Sequence, residues 1–147
     1  MNVPAVVDAE NVNAREVHSL RSGYHALVGY PRVQPGSGVP IVEISGEIDA
    51  SNSNDILLGV LDDVPDDVPG LVLDLRHTDY LDSAGIRALF ELARRLRARR
   101  QQLRLVVLKD GIVRRVLTLT AFTEVVDLHE TPADAQAAIA TQWGNDR

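Results

Sequence analysis

The chain has no cysteine. That removes disulfides, thiol catalysis, thiolate metal sites and any redox switch through its own thiols. It fits a reducing compartment, and a cytoplasmic location is expected. Aromatic residues are scarce, at 4%, so a core must be built from aliphatic side chains. No apolar run approaches the roughly 18 residues that a membrane span needs. No basic segment followed by an apolar run opens the chain, so no signal peptide is expected. Lysine is nearly absent: Lys109 is the only one, and arginine carries the basic charge. The net charge of −6 argues against nucleic acid as a direct partner.

What is present is ordinary for one globular domain. The 147 residues are 45% hydrophobic, enough for a core without staples. The stretch from Leu71 to Phe90 organises the rest. Leu71, Val72, Leu73 and Leu75 form a short apolar run, which suits a strand buried on both faces. From Ile86 the period changes. Ile86, Leu89, Phe90, Ala93 and Leu96 recur at spacings of three and four, one stripe along a helix. A short polar turn is expected between the two, and the helix is expected to begin at Asp82 or Ser83 of Asp82-Ser83-Ala84-Gly85. An Asp or Ser oxygen there can satisfy an orphan backbone N–H of the first turn. The helix dipole also favours negative charge at that end.

Upstream, residues 1–23 read as an N-terminal extension, disordered or lightly docked. Tyr24 to Val33 reads as an edge strand, Gln34 to Gly38 as a turn, and Val39 to Ile44 as a strand antiparallel to the first. Gly46-Glu-Ile-Asp49 ends it. A helix then runs through about Leu61 with Ile56 and Val60 inward, and the acidic, proline-rich segment Asp62 to Gly70 stops it. Downstream, Leu103 to Leu108 reads as a buried strand. Ile112 to Leu119 reads as a helix with Ile112, Val116 and Leu119 inward, and Val125 to Leu128 as a short strand. A last helix is capped by Thr131, with Pro132 at its first position and Ile139 and Trp143 as anchors. Strands alternating with helices imply a largely parallel sheet with helical crossovers.

Three pieces, in order, resemble the STAS family, most closely its bacterial anti-sigma factor antagonists. They are Gly46-Glu-Ile-Asp49, Leu73-Asp-Leu75 and Tyr80-Leu-Asp-Ser-Ala-Gly85. The resemblance covers roughly residues 24–140 and assigns a STAS domain to 24–147. It implies an α/β fold: a mixed, mostly parallel sheet of four to five strands with about four helices. It also implies a module that binds an anti-sigma factor and so frees a sigma factor for transcription. In such proteins the serine after the Asp is phosphorylated by the anti-sigma factor, a serine kinase, and a serine phosphatase restores it. Here that residue is Ser83. The resemblance places Asp49, Asp82, Ser83, Ala84 and Gly85 in the partner-binding region. Two departures stand out. Ala84 replaces a second hydroxyl, and Asp110-Gly111 stands where the family has a proline before the next helix.

Plainer readings stand beside these. Ser83 or Asp82 would serve as a helix cap in any protein, and Asp49 as a loop-end carboxylate. The arginine-rich segment 87–104 reads as a solvated helix face. Gly36-Ser-Gly38 is not a phosphate loop, because no Lys-Ser/Thr follows. The four histidines have no ligand spacing, so no metal and no cofactor are expected. His77 and Ser83 lack a third member and an oxyanion arrangement, so no enzyme activity is expected. The rival function is a STAS scaffold without a phosphoswitch, as a subunit of a sensor or lipid-transport complex. Self-association into a homodimer stays open.

Overall fold

A computed structural model of the chain describes the backbone of residues 16–20, 24–29 and 38–145, with side chains over 38–142. The elements are β1 (Glu16–Leu20), β2 (Tyr24–Gly29), β3 (Ile41–Ile48), α1 (Ser53–Asp63), β4 (Gly70–Leu81), α2 (Ser83–Ala98), β5 (Gln102–Val106), α3 (Ile112–Leu119), β6 (Leu128–His129) and α4 (Pro132–Asn145). A 3-10 turn at Phe122–Glu124 follows α3. The described strands make one sheet in sequence order, β1-β2-β3-β4-β5-β6. β1, β2 and β3 pair antiparallel, and β3, β4, β5 and β6 pair parallel. The expected mixed, mostly parallel sheet with four helices is therefore present. It has one strand more than expected, because Glu16–Leu20 of the N-terminal segment pairs with β2.

The strand period decides the two layers. Leu71, Leu73 and Leu75 join one core with the buried residues of α1, α2 and α3. Val72 and Val106 point the other way and join Ala135 and Ile139 of α4. The second core is small, and a polar bond reinforces it. The buried Gln136 donates from Nε2 to the Val39 carbonyl at 2.9 Å. Asp74 is also buried, and the Arg76 guanidinium clamps it with bonds of 3.0 and 2.8 Å. That carboxylate raises the Arg76 pKa further.

Four boundaries and one helix face differ from the sequence expectation. β4 continues through Arg76–Tyr80 to Leu81, where a short polar turn was expected, because that stretch stays paired with β3. β3 runs on through Gly46 to Ile48 instead of ending there. Its pairing with β4 shifts register twice, and Gly46 takes a φ of +95°. Thr78 donates its hydroxyl to the Ile44 carbonyl at 2.8 Å within that irregular stretch. β5 ends at Val106, leaving Leu108 exposed. β6 is only Leu128–His129, and Val125 precedes it as exposed chain. In α3 the inward residues are Val113 and Leu117, while Ile112 and Leu119 are 53% and 78% exposed. The sequence carries two apolar stripes there, one residue apart in phase. Periodicity alone does not choose between them. The expected strand over 30–33, the turn over 34–37 and the side chain of Trp143 lie outside the described residues.

Two of the four arginines of α2, and Arg99 just past its end, are paired within the domain. Arg94 and Arg95 both bind Glu91 and hold its carboxyl down to about 2. Arg99 donates to the Val64 carbonyl and to Asp66. Gln101 beside it donates to the Pro65 and Val68 carbonyls. Together they fasten the acidic loop between α1 and β4 to the end of α2.

Candidate functional site

β3 and β4 run parallel, so both end on the same edge of the sheet, where Ile48 pairs with Leu81. The loop after β3 and the first turn of α2 therefore meet. Asp82 is the joint. It caps α2: its Oδ1 accepts from the Gly85 N–H at 2.9 Å. Its Oδ2 accepts from the Ala50 N–H at 3.1 Å, across to the other loop. Its own N–H donates to the Ile48 carbonyl at 3.1 Å. One carboxylate thus satisfies a helix end and pins a neighbouring loop.

Asp49 holds that neighbouring loop in shape. Its Oδ1 accepts from the Ser51 hydroxyl at 2.6 Å and from the Ser51 N–H at 2.9 Å. These bonds, the hydroxyl first, keep its carboxyl below the usual range. Asn52 is buried behind it. It makes no side-chain cap to α1. Instead Oδ1 accepts from the Asp49 N–H and Nδ2 donates to the Glu47 carbonyl. The Asx-type turn in this loop belongs to Asp49, whose Oδ1 accepts from the N–H two residues on. The Asn52 bond runs back along the chain and was not signalled by the local sequence.

Gly85 is required by contact. A Cβ there would lie 2.8 Å from the Ile48 carbonyl oxygen. Alanine usually favours a helix over glycine by about 1 kcal/mol. Here the sign should reverse. Gly85→Ala is expected to cost about 1–3 kcal/mol, because helix and strand must separate. Denaturant unfolding checks this, and a gain in stability would refute the contact.

Ser83 is the first residue of α2 and is exposed. Since Asp82 supplies the cap, the Ser83 hydroxyl is not spent on one. Ala84 follows, half-buried. The structure thus brings Asp49, Asp82, Ser83, Ala84 and Gly85 to one edge, with the exposed Asp79 and Tyr80 on the strand leading in. At the adjacent crossover Gly111 is the N-cap of α3, and the eight-residue helix forms without the family's proline. Asp82→Ala is expected to cost about 1–2 kcal/mol through the lost cap. It should also speed amide exchange at both Gly85 and Ala50. Unchanged exchange at Ala50 would show that the cross-loop bond contributes nothing.

The STAS domain profile matches residues 30–135. This chain belongs to the STAS domain family. No curated protein matches it in sequence. Among solved structures, an anti-sigma factor antagonist from Mycobacterium paratuberculosis is similar, with 27% identity and a TM-score of 0.66. The match covers 83% of this chain and 98% of that one. A putative anti-sigma factor antagonist from Thermotoga maritima shares the fold at 18% identity and TM-score 0.63, over 74% and 91% of the two chains. So does a sulfate transporter family protein from Wolinella succinogenes, at 24% identity and TM-score 0.58, over 76% and 91%. Among the described residues of this STAS domain, no helix is long and apolar enough to cross a membrane.

Proposed function

We propose that this STAS domain is an anti-sigma factor antagonist. It binds an anti-sigma factor that is also a serine kinase, and so releases a sigma factor. Phosphorylation of Ser83 switches that binding off. The γ-phosphoryl group of ATP passes to Ser83 Oγ, the hydroxyl proton is lost and ADP leaves. A serine phosphatase hydrolyses the ester and resets the module. The domain is the substrate of these enzymes and not itself an enzyme.

One observation carries this reading. Asp82 caps α2, which leaves the Ser83 hydroxyl exposed at the first helical position. That hydroxyl is open to solvent and to a modifying enzyme. The 27% identity to an anti-sigma factor antagonist over most of both chains supports the partner class. The shared fold of a sulfate transporter family protein keeps a second reading in view, a scaffold subunit without a phosphoswitch.

Affinity capture from an extract of the native cell separates the two, with wild type, Ser83→Ala and Ser83→Asp as baits. The proposal expects a kinase-fold anti-sigma factor on the first two and not on the third. Capture of the same transporter or scaffold proteins by all three would replace it with the second reading.

A further inference from the structure

Arg87 lies four residues after Ser83 on α2 and is exposed. Residues four apart share a helix face, with Cβ atoms about 5–6 Å apart. Helical side chains also lean towards the N-terminus, so Arg87 leans back over the turn that holds Ser83. Among the described residues Arg87 has no ion-pair partner, unlike Arg94, Arg95, Arg99 and Arg104. The acid on its C-terminal side at the same spacing, Glu91, already binds Arg94 and Arg95. Its other neighbours at spacings of three and four are Ala84 and Phe90, which are uncharged. Ser83 is therefore the one position within that reach on the helix where a new negative charge could meet this guanidinium.

We infer that Arg87 is the in-chain acceptor for a phosphate on Ser83, through an i,i+4 pair that exists only in the modified state. This rests on the phosphoacceptor reading of Ser83 and adds a regulatory residue to it. The acid precedes the base along the helix, the more favourable order. Arginine also meets phosphate with a fork of donors that lysine lacks. The charges that oppose the phosphate are Asp82 beside it, Asp49 on the loop bound to Asp82, and Asp79 at the end of β4. Arg87 offsets part of that repulsion and holds the modified side chain along the helix. A phosphatase would then have to displace the guanidinium to reach the ester.

The test uses the full chain with phosphoserine placed at residue 83 during synthesis, so no kinase is needed. Its second ionisation is followed by phosphorus NMR across pH 4–8 in the wild-type background, Arg87→Gln and Arg87→Lys. Asp49, Asp79, Asp82 and Glu91 are common to all three, so differences report residue 87. The ionisation is expected to lie about half a pH unit or more lower in the wild-type background than in Arg87→Gln, with Arg87→Lys between them. Without phosphate, Arg87→Gln should unfold as wild type does. Equal ionisation in the wild-type background and Arg87→Gln would overturn the inference. If the shift is present but the phosphorylated chain still binds its anti-sigma factor, the inference stands and the switch reading fails. If the shift is absent while binding is lost, the switch stands and Arg87 plays no part in it.

Discussion

Phe122→Ala is expected to lower the stability of the domain by about 3–5 kcal/mol. Phe122 is fully buried and belongs to the larger core. Its ring meets Phe90 of α2 edge to face, with centroids 4.8 Å apart and planes at 71°. Such pairs add about 0.5–1.5 kcal/mol to the burial itself. The 3-10 turn that presents it begins after Ala121, which takes a φ of +63°. The Phe122 carbonyl then accepts from the N–H groups of Val125 and Val126. Losing the ring would open a cavity between α2 and the segment leading to β6. A domain of this size has about 5–15 kcal/mol in total, so the variant should sit near the edge of folding. Denaturant unfolding with tryptophan fluorescence or circular dichroism measures it. A loss below about 1 kcal/mol would mean that the core closes over the gap and that Phe122 is not its plug.

Phosphorylation of Ser83 is expected to weaken binding to the anti-sigma factor more than about a hundredfold and to leave the domain folded. The modification adds about −1.5 to −2 charges and three acceptor oxygens. It falls on an edge that already carries Asp49, Asp79 and Asp82. A partner packed on that edge would have to bury or pair the new charge, and an unpaired interfacial charge costs several kcal/mol. Each 1.4 kcal/mol is about tenfold in affinity. The fold itself loses nothing comparable, because Ser83 is exposed and Asp82 keeps the cap. Ser83→Asp brings one charge on a shorter reach, so its effect should be smaller but of the same sign. Titration calorimetry with phosphoserine at residue 83, beside thermal unfolding of the same sample, checks both halves. Affinity within about threefold of the unmodified chain would sink the proposal.

The amino-acid sequence by itself determined the parallel α/β order, the strand at Leu71–Leu75, a start of α2 at Asp82 or Ser83 and the Thr131 cap of α4, whose hydroxyl accepts from the Asp134 N–H. Each is local. A period, a cap residue or a proline acts within a few residues and is legible there. Tertiary structure decided what depends on partners distant in the chain. Val113 and Leu117 face inward because the sheet and Phe122 lie on that side; the helix's own spacing permitted the other stripe. Asp82 is the cap and Ser83 is free of that duty because Asp82 also reaches the Ala50 N–H, 32 residues away. Arg94 and Arg95 pair with Glu91 on the exposed face expected for them, whereas Arg99, just past the end of α2, is turned to the Val64–Asp66 loop, a contact set by packing. Gly85 is fixed by the approach of Ile48, which no helix propensity contains. The candidate site is likewise a product of parallel pairing. β3 and β4 end on one edge, so two short motifs distant in the chain become one surface.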